Sequence, residues 1–326
     1  MKTSAESAAG SASCAEGKPD AVVVLGPTAA GKTALAVRLA RAFSGEILSA
    51  DSRQVYRGLD IGTGKDLEEY GGVRYHLIDI LSLPDEYNVF RFQQDFRCAL
   101  AGIRARGNLP VLAGGTGLYL ESVICGYAFA PVPENAALRR ELETLDDRAL
   151  LERLEQAKAR QGSAVHPDDR TGRERMIRAI EIAEAQDVLP DSGRKEADQP
   201  PFHPLVLGVY FPREELRTRI AERLDARLQS GLLDEVRRIH AQGISWERLE
   251  RLGLEYRCAA QYLRGGGADF PAFRQNLLTE IRHFAKRQET WFRRMERRGV
   301  HIRWITRGNP EEAERLLLEA GFRKRN

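Results

Sequence analysis

The segment Gly26-Pro-Thr-Ala-Ala-Gly31-Lys32-Thr33 constrains this chain more than any other, because G-x-x-x-x-G-K-[ST] is informative between a strand and a helix and has that setting here. It follows a short apolar run, Ala21 to Leu25, and precedes a stretch of helical period from Thr33 to Phe43. Strand, glycine loop and helix in that order open an α/β domain. The glycines let backbone N–H groups turn inward around phosphate oxygens, and the helix N-terminus adds its positive end. Lys32 supplies a mobile charge, and Thr33 can hold Mg²⁺. Gly26, Pro27, Thr28, Ala29, Ala30, Gly31, Lys32 and Thr33 are therefore expected to bind a di- or triphosphate.

Further buried strands are expected at Glu46 to Ser49, Tyr75 to Ile80, Pro110 to Ala113 and Leu205 to Tyr210, with a helix from about Asn88 to Arg106. That alternation predicts a mostly parallel sheet and a P-loop NTPase-like core over residues 21–125 and 205–326. Between them the strand runs stop. Residues 126–204 read as an all-helical insertion, with helices over Glu134 to Arg160 and Asp168 to Ala185 and a loop over Asp187 to Pro204. The remainder is helical: Glu214 to Ser230, Leu233 to Ala241, Leu254 to Leu263 and about Phe273 to Arg298. Residues 1–20 are small and polar and predict a disordered leader.

Composition removes several classes. A chain of 326 residues with 42% hydrophobic content can bury the cores of two domains. Its four cysteines lie far apart without a Cys-x-x-Cys pair, so neither a disulfide framework nor a zinc site is indicated. No run of about 18 apolar residues occurs, which argues against a membrane span. The expectation is a cytoplasmic, monomeric protein. The net charge of +3 gives no hint of a nucleic-acid partner by itself.

A nucleotide kinase or NTPase is the default reading of such a loop, but those enzymes add an Asp at the end of a second strand to order Mg²⁺. Asp79 is the nearest candidate, and its place inside an apolar run favours a satisfied core carboxylate. Asp51 is different. It follows the second strand in Ser49-Ala-Asp51-Ser52-Arg53-Gln54, and neighbouring strands of a parallel sheet end on one crevice, so it should face the phosphate loop.

Gly26 to Thr33, Ser49 to Lys65, Tyr75 to Ile80, Tyr87 to Phe92, Pro110 to Tyr119, Arg175 to Glu181 and Lys286 to Arg293, in that order, together resemble tRNA dimethylallyltransferases. The resemblance implies transfer of a dimethylallyl group from dimethylallyl diphosphate to the N6 amine of the adenosine immediately 3′ of the anticodon, position 37, with release of diphosphate and with Mg²⁺. It implies a prenyl diphosphate in place of ATP on the phosphate loop, which accounts for the missing Mg²⁺ carboxylate. Asp51 would be the general base. Ser52, Arg53, Gln54, Thr116 and Arg139 would meet the anticodon stem-loop of tRNA. Glu174, Arg175, Met176, Ile177 and Arg178 would join them. So would Leu252, Gly253, Leu254, Glu255, Tyr256 and Arg257, and finally Lys286, Arg287, Gln288, Glu289, Thr290, Trp291, Phe292 and Arg293.

The residues themselves support such chemistry. A purine exocyclic amine is a poor nucleophile, so a base that removes its proton as the C–N bond forms is sensible. The leaving diphosphate gains charge that Lys32, Mg²⁺ and arginines can stabilise. In the helix after Tyr210, Leu216, Ile220, Leu224 and Leu228 form an apolar stripe beside a second stripe of Arg219, Arg223 and Arg227. Arg219 and Arg223 fit the family pattern R-x-x-x-R and are expected at the diphosphate; Arg227 is expected on a solvated face. From Arg282 to Arg298 seven basic residues meet two acids, a local charge of +5. There Leu277, Ile281, Phe284, Trp291 and Met295 should pack inward and leave the basic face to phosphates. The small residues Gly114, Gly115 and Gly117 fit backbone lining a channel.

Three places depart from the family pattern: Glu255 where many members have Gly, Gly64 for a commoner Ala, and the loop over Asp187 to Gln199. Two other readings remain open at this point, a P-loop kinase that phosphorylates a nucleotide or small alcohol with ATP and an RNA-binding protein whose loop is a switch.

Overall fold

Ala21-Val-Val-Val-Leu25 is apolar throughout because it is covered on both faces: each of its five residues is fully buried. In the computed structural model, which describes residues 18–127, 129, 132–186 and 202–324, this run is β1 (Ala21–Leu25) near the middle of one sheet. It is followed by α1 (Lys32–Ala42), β2 (Gly45–Ala50), β3 (Tyr75–His76), α2 (Val89–Ala105), β4 (Leu109–Gly114) and α3 (Gly117–Ile124). After the insertion come β5 (Pro204–Tyr210), a helical series and β6 (Ile302–Thr306). The strand order is β3-β2-β4-β1-β5-β6, and every pairing is parallel. The expected P-loop-like α/β core with a parallel sheet is what forms. Its strand ends put the loops after β1, β2 and β4 side by side, as Leu25 and Ala50 each pair with Gly114.

Two strands differ from expectation. The apolar run Tyr75 to Ile80 pairs only over its first two residues, because Leu77 and Asp79 turn into left-handed conformations, φ 65° and 55°. Leu77 and Ile78 stay buried, but the backbone leaves β2 and bonds to Gln54 and Val55 instead. That turn aims the Asp79 carboxylate at Lys65, a lysine only 1% exposed. A buried ammonium needs such a partner more than the strand needs two further residues. The unexpected strand is β6, an edge strand of which only Ile305 is fully buried. Trp304 lies across Gly208 of β5, where an ideal Cβ would meet the indole at 2.5 Å.

The chain divides into two compact units, one of residues up to 127 and from 201, the other of 128–200. In the second, α4 (Ala136–Glu143), α5 (Asp147–Arg160) and α6 (Arg173–Gln186) share a core of Leu138, Leu142, Leu150, Leu154, Met176, Ile177 and Ile180. The single helix expected over Glu134 to Arg160 is broken because the Asp146 side chain accepts the Ala149 amide at 2.8 Å and caps α5. The expected leader and the loop over 187–200 lie outside the described residues, apart from residues 18–20. There Asp20 exchanges hydrogen bonds with His203 and pairs with Arg104, so order starts before β1.

The helices after β5 are α7 (Arg213–Gln229), α8 (Leu232–Ala241), α9 (Trp246–Glu250), α10 (Leu254–Arg264), α11 (Phe270–Arg297) and, after β6, α12 (Pro310–Glu319). α7 buries Leu216, Ile220 and Leu224 as its stripe requires. α11 buries Leu277, Ile281, Ala285, Gln288, Phe292 and Met295. Phe284 is instead exposed, and Gln288 takes an inward place that its polarity did not announce. Among the described residues no helix is long and apolar enough to cross a membrane.

Candidate active site

The phosphate loop holds its shape through backbone strain that the sequence permits. Gly31 has φ 76° and starts α1, Ala29 takes φ 61°, and Gly26 approaches Val209 so closely that a Cβ would lie 2.9 Å from its carbonyl. The amides of Gly31, Lys32 and Thr33 have no hydrogen-bond partner among the described residues. Orphan donors at a helix start are what an anion satisfies. Lys32 folds back so that Nζ donates to the Pro27 carbonyl at 2.7 Å. Enclosure in the cavity, together with the Arg223 charge, pulls its pKa down to about 7, against the opposing pull of Asp51.

Around the loop lies a cavity of about 440 Å³ that takes in Thr28, Lys32, Thr33, Asp51, Thr116 and Arg223 among others. Asp51 sits just past β2, where its Oδ1 accepts the Arg53 amide at 2.8 Å and the Gln54 amide at 3.4 Å. Its Oδ2 accepts no hydrogen bond among the described residues. Thr116 Oγ1 accepts the Ser52 amide at 3.2 Å, tying the loop after β4 to the loop after β2. Gly114 is required here, because a Cβ would strike the Ala50 carbonyl of β2.

Gln288 joins α11 to both loops. Its Oε1 accepts the Thr28 amide and its Nε2 donates to the Gly115 carbonyl, both at 2.8 Å. The far wall is the loop Asp60 to Lys65, held by the buried Glu235 of α8. That carboxylate accepts the amides of Asp60, Ile61 and Gly62 at 2.8–3.0 Å and the Tyr256 hydroxyl at 2.6 Å. Neither bridge was legible beforehand: no motif marks Glu235, and Gln288 looked like part of a basic surface.

From α7, Arg219 stacks on Phe211 with its guanidinium 4.5 Å from the ring centre and donates to the Ala29 carbonyl at 2.9 Å. Arg223 Nη2 lies 3.3 Å from Asp66, and burial beside Arg227 lowers its pKa to about 10. Arg227 is not on a solvated face. Its side chain is 13% exposed and faces the cavity, 3.6 Å from Glu255. The acid at 255 is thus answered by an arginine of this chain.

Several residues expected at a tRNA surface are inside. Gln54 bonds Ser49 and the Gly64 carbonyl, and Leu252, Tyr256 and Phe292 are buried, although Gln54, Leu252 and Tyr256 still contribute to the cavity wall. Thr28 is in the loop as expected, but Gln288 already takes its amide. Met176 and Ile177 fill the core of the second unit, as their amphipathic spacing requires. In that unit Glu181 holds Arg139 bidentately at 2.8 and 2.9 Å and also receives Arg178 at 3.1 Å. Burial opposes its ionisation, yet these donors keep its pKa below the ordinary carboxylate value. Glu174 and Arg175 are exposed.

Arg53, Gly253, Leu254, Glu255, Arg287 and Trp291 line the cavity. Lys286, Glu289, Thr290 and Arg293 instead border a separate depression of about 890 Å³ beyond Pro27. Arg257 points outward to Glu280 at 3.0 Å. Of the seven basic residues from Arg282 to Arg298, Arg294 and Arg298 are tied to the buried Glu121 at 2.7 and 3.0 Å, so part of the expected basic face is structural.

Residues 54–295 match the family described as IPP transferase, and residues 19–79 the one described as isopentenyl transferase. A tRNA dimethylallyltransferase 1 of Geotalea uraniireducens is 52% identical over 91% of this chain and 96% of its own. A tRNA dimethylallyltransferase 2 of Treponema denticola is 50% identical over 88% and 96%. The crystal structure of a full-length tRNA isopentenylpyrophosphate transferase from Bacillus halodurans is similar with a TM-score of 0.67 at 31% identity, covering 93% of this chain and 97% of that one. A eukaryotic dimethylallyltransferase acting on tRNA is similar in fold, TM-score 0.71 at 22% identity over 92% and 78%. Half of all residues shared along nearly the whole length, with the phosphate loop and Asp51 on one cavity, establish that the chain belongs to the tRNA dimethylallyltransferases, a family of prenyltransferases.

Proposed function

We propose that this enzyme transfers the dimethylallyl group of dimethylallyl diphosphate to N6 of the adenosine just 3′ of the tRNA anticodon, position 37. The observation that carries this reading is the juxtaposition of orphan amides on the phosphate loop with the bare Oδ2 of Asp51 in one cavity. A kinase would use such a base too, but it also needs a carboxylate to order Mg²⁺, and Asp79, the candidate, is paired with Lys65; the relatives are prenyltransferases. In the step, the N6 lone pair forms a bond to the allylic carbon as the C–O bond breaks. The electron pair leaves on diphosphate, and the amine proton passes to Asp51 Oδ2. Lys32, Arg219 and Arg223 hold the leaving group, and the Gly31 to Thr33 amides receive its oxygens.

Mg²⁺ fits this donor set. Thr33 lines the cavity, its hydroxyl has no hydrogen-bond partner among the described residues, and magnesium commonly takes one protein oxygen with phosphate oxygens and water. When bound, the ion would neutralise charge on the leaving diphosphate. The target base must leave its stack to reach Asp51, which suits an unpaired anticodon loop. Ser52, Arg53, Thr116, Gly253, Leu254, Arg287 and Trp291 would meet it there. Arg139, Arg175, Lys286 and Arg293 would serve the phosphates, with the enzyme acting as a cytoplasmic monomer on free tRNA.

Incubation of labelled dimethylallyl diphosphate with unmodified tRNA tests the reading. Label is expected in RNA only when position 37 is adenosine. Transfer of γ-phosphate from ATP to a small acceptor, without label in tRNA, would overturn it.

A further inference from the structure

Arg227 is largely buried yet poorly bonded. Only Nη1 reaches acceptors, the Gly62 carbonyl at 3.4 Å and Glu255 Oε1 at 3.6 Å, and Nε and Nη2 have no hydrogen-bond partner among the described residues. Charge-assisted bonds are usually about 2.7–2.9 Å long. A planar fork of five donors is therefore left short of protein acceptors, with its unpaired nitrogens open to the cavity.

Gly64 gives the direction in which the fork faces. An ideal Cβ on this glycine, which sits at φ 59°, would run into the guanidinium of Arg227 and also into that of Arg223. The two arginines thus converge over one residue of the cavity wall. Lys32 feels both, since each disfavours its charged form. Asp66 meets Arg223 at 3.3 Å, and Asp51 spends one carboxylate oxygen on backbone amides, so three cations share few countercharges. Left alone, Arg227 would be driven outward by the other two. Glu255, in the first turn of α10, is the carboxylate that opposes this.

Resting on the prenyl-transfer reading, we propose that Arg227 is a third cation for the diphosphate and that Glu255 is the positioning residue that keeps it in the cavity. Gly64 is the space both arginines require. The two departures from the family pattern, at 64 and 255, then converge on one side chain. A multiply charged anion supplies the missing acceptors, and a loose ion pair can yield to it without breaking a short bond.

The test is titration of the purified full-length protein with inorganic pyrophosphate and Mg²⁺, beside steady-state kinetics. Arg227→Gln is expected to weaken pyrophosphate binding by about tenfold and to raise KM for dimethylallyl diphosphate equally, with KM for tRNA within about twofold. Glu255→Gln should weaken binding by about threefold, Glu255→Asp should restore most of it, and Arg227→Gln/Glu255→Gln should be no weaker than Arg227→Gln alone. Additive losses, or a raised KM for tRNA with that for the diphosphate unchanged, would overturn the proposal. Unchanged thermal midpoints guard against misfolding, and Arg227→Lys, which keeps the charge, should lose less than Arg227→Gln. Wild-type protein that binds pyrophosphate but transfers no label would sink the prenyl-transfer reading, and the titration would still decide the roles of Arg227 and Glu255.

Discussion

Strand β2 carries a carboxylate near each end, and the two have opposite fates. Glu46, 3% exposed, is saturated: Arg106 Nε and Nη2, Asn108 Nδ2 and His76 Nε2 all lie at 2.7 Å. The Arg106 hydrogen bonds, with the others, overcome burial and hold its pKa down at about 2. Asp51, just past the other end, fills one oxygen with backbone amides and leaves the second open. A saturated carboxylate locks β2 to the elements around it and has no valence left for a substrate. An open one beside a phosphate loop can accept a proton. In one parallel sheet, satisfied groups mark the amino-terminal edge as scaffold, and unsatisfied ones mark the carboxyl-terminal edge as the working face.

Removing the open carboxylate should have the largest effect. Asp51→Ala is expected to lower single-turnover transfer by about 10²–10⁴-fold, the usual contribution of a positioned base, with binding of both substrates within a few-fold. Unchanged turnover would erase the contrast. The converse substitution, Glu46→Gln, should leave kcat and KM near wild type and lower unfolding stability at neutral pH by on the order of 2–3 kcal/mol. Because its folded pKa is depressed, that contribution is complete above about 4.5, the ordinary value, and is lost as pH falls towards about 2. Acid unfolding followed by circular dichroism should therefore separate mutant from wild type above pH 4.5 and merge them at low pH.

Gln288→Ala sharpens the comparison, since this side chain is satisfied yet belongs to the working edge. It frees the Thr28 amide and the Gly115 carbonyl, and a loss of about 1–3 kcal/mol in stability with a rise in KM for dimethylallyl diphosphate is expected. A stability loss alone would make it scaffold. The smallest effect is pH-dependent. Lys32 loses its charge as pH rises through about 7 in the free enzyme, so kcat/KM for the diphosphate should decline several-fold above that pH. Lys32→Arg should remove the inflection, if not restore the rate.

Legibility followed the range of the interactions. The phosphate loop, Asp51 and the buried stripe of α7 depend on neighbours a few residues away and could be read directly. β6 was missed because an edge strand buries too little to write a pattern. Tyr75 to Ile80 looked like a longer strand because its apolar residues are buried, whereas a lysine ten residues upstream decided the backbone path. A helical wheel places Arg227 on the solvated face because it contains no Gly64 and no Glu255. Within α11 the wheel gave the right inward side for Ile281 and Met295 and the wrong one for Phe284 and Gln288.

The sequence by itself therefore determined the parallel α/β core, the anion-binding loop, the position of Asp51 and the family, all encoded in local order and spacing. Only the tertiary structure decided which polar groups are satisfied: Glu46, Glu235 and Gln288 are closed, and Asp51, Thr33 and the loop amides are open. The physical reason is that a hydrogen bond is a property of pairs. Gln288 meets Thr28 across 260 residues, and Arg227 meets the wall made by Gly62 and Gly64 only after α7 has packed, so no window along the chain contains both halves of either contact.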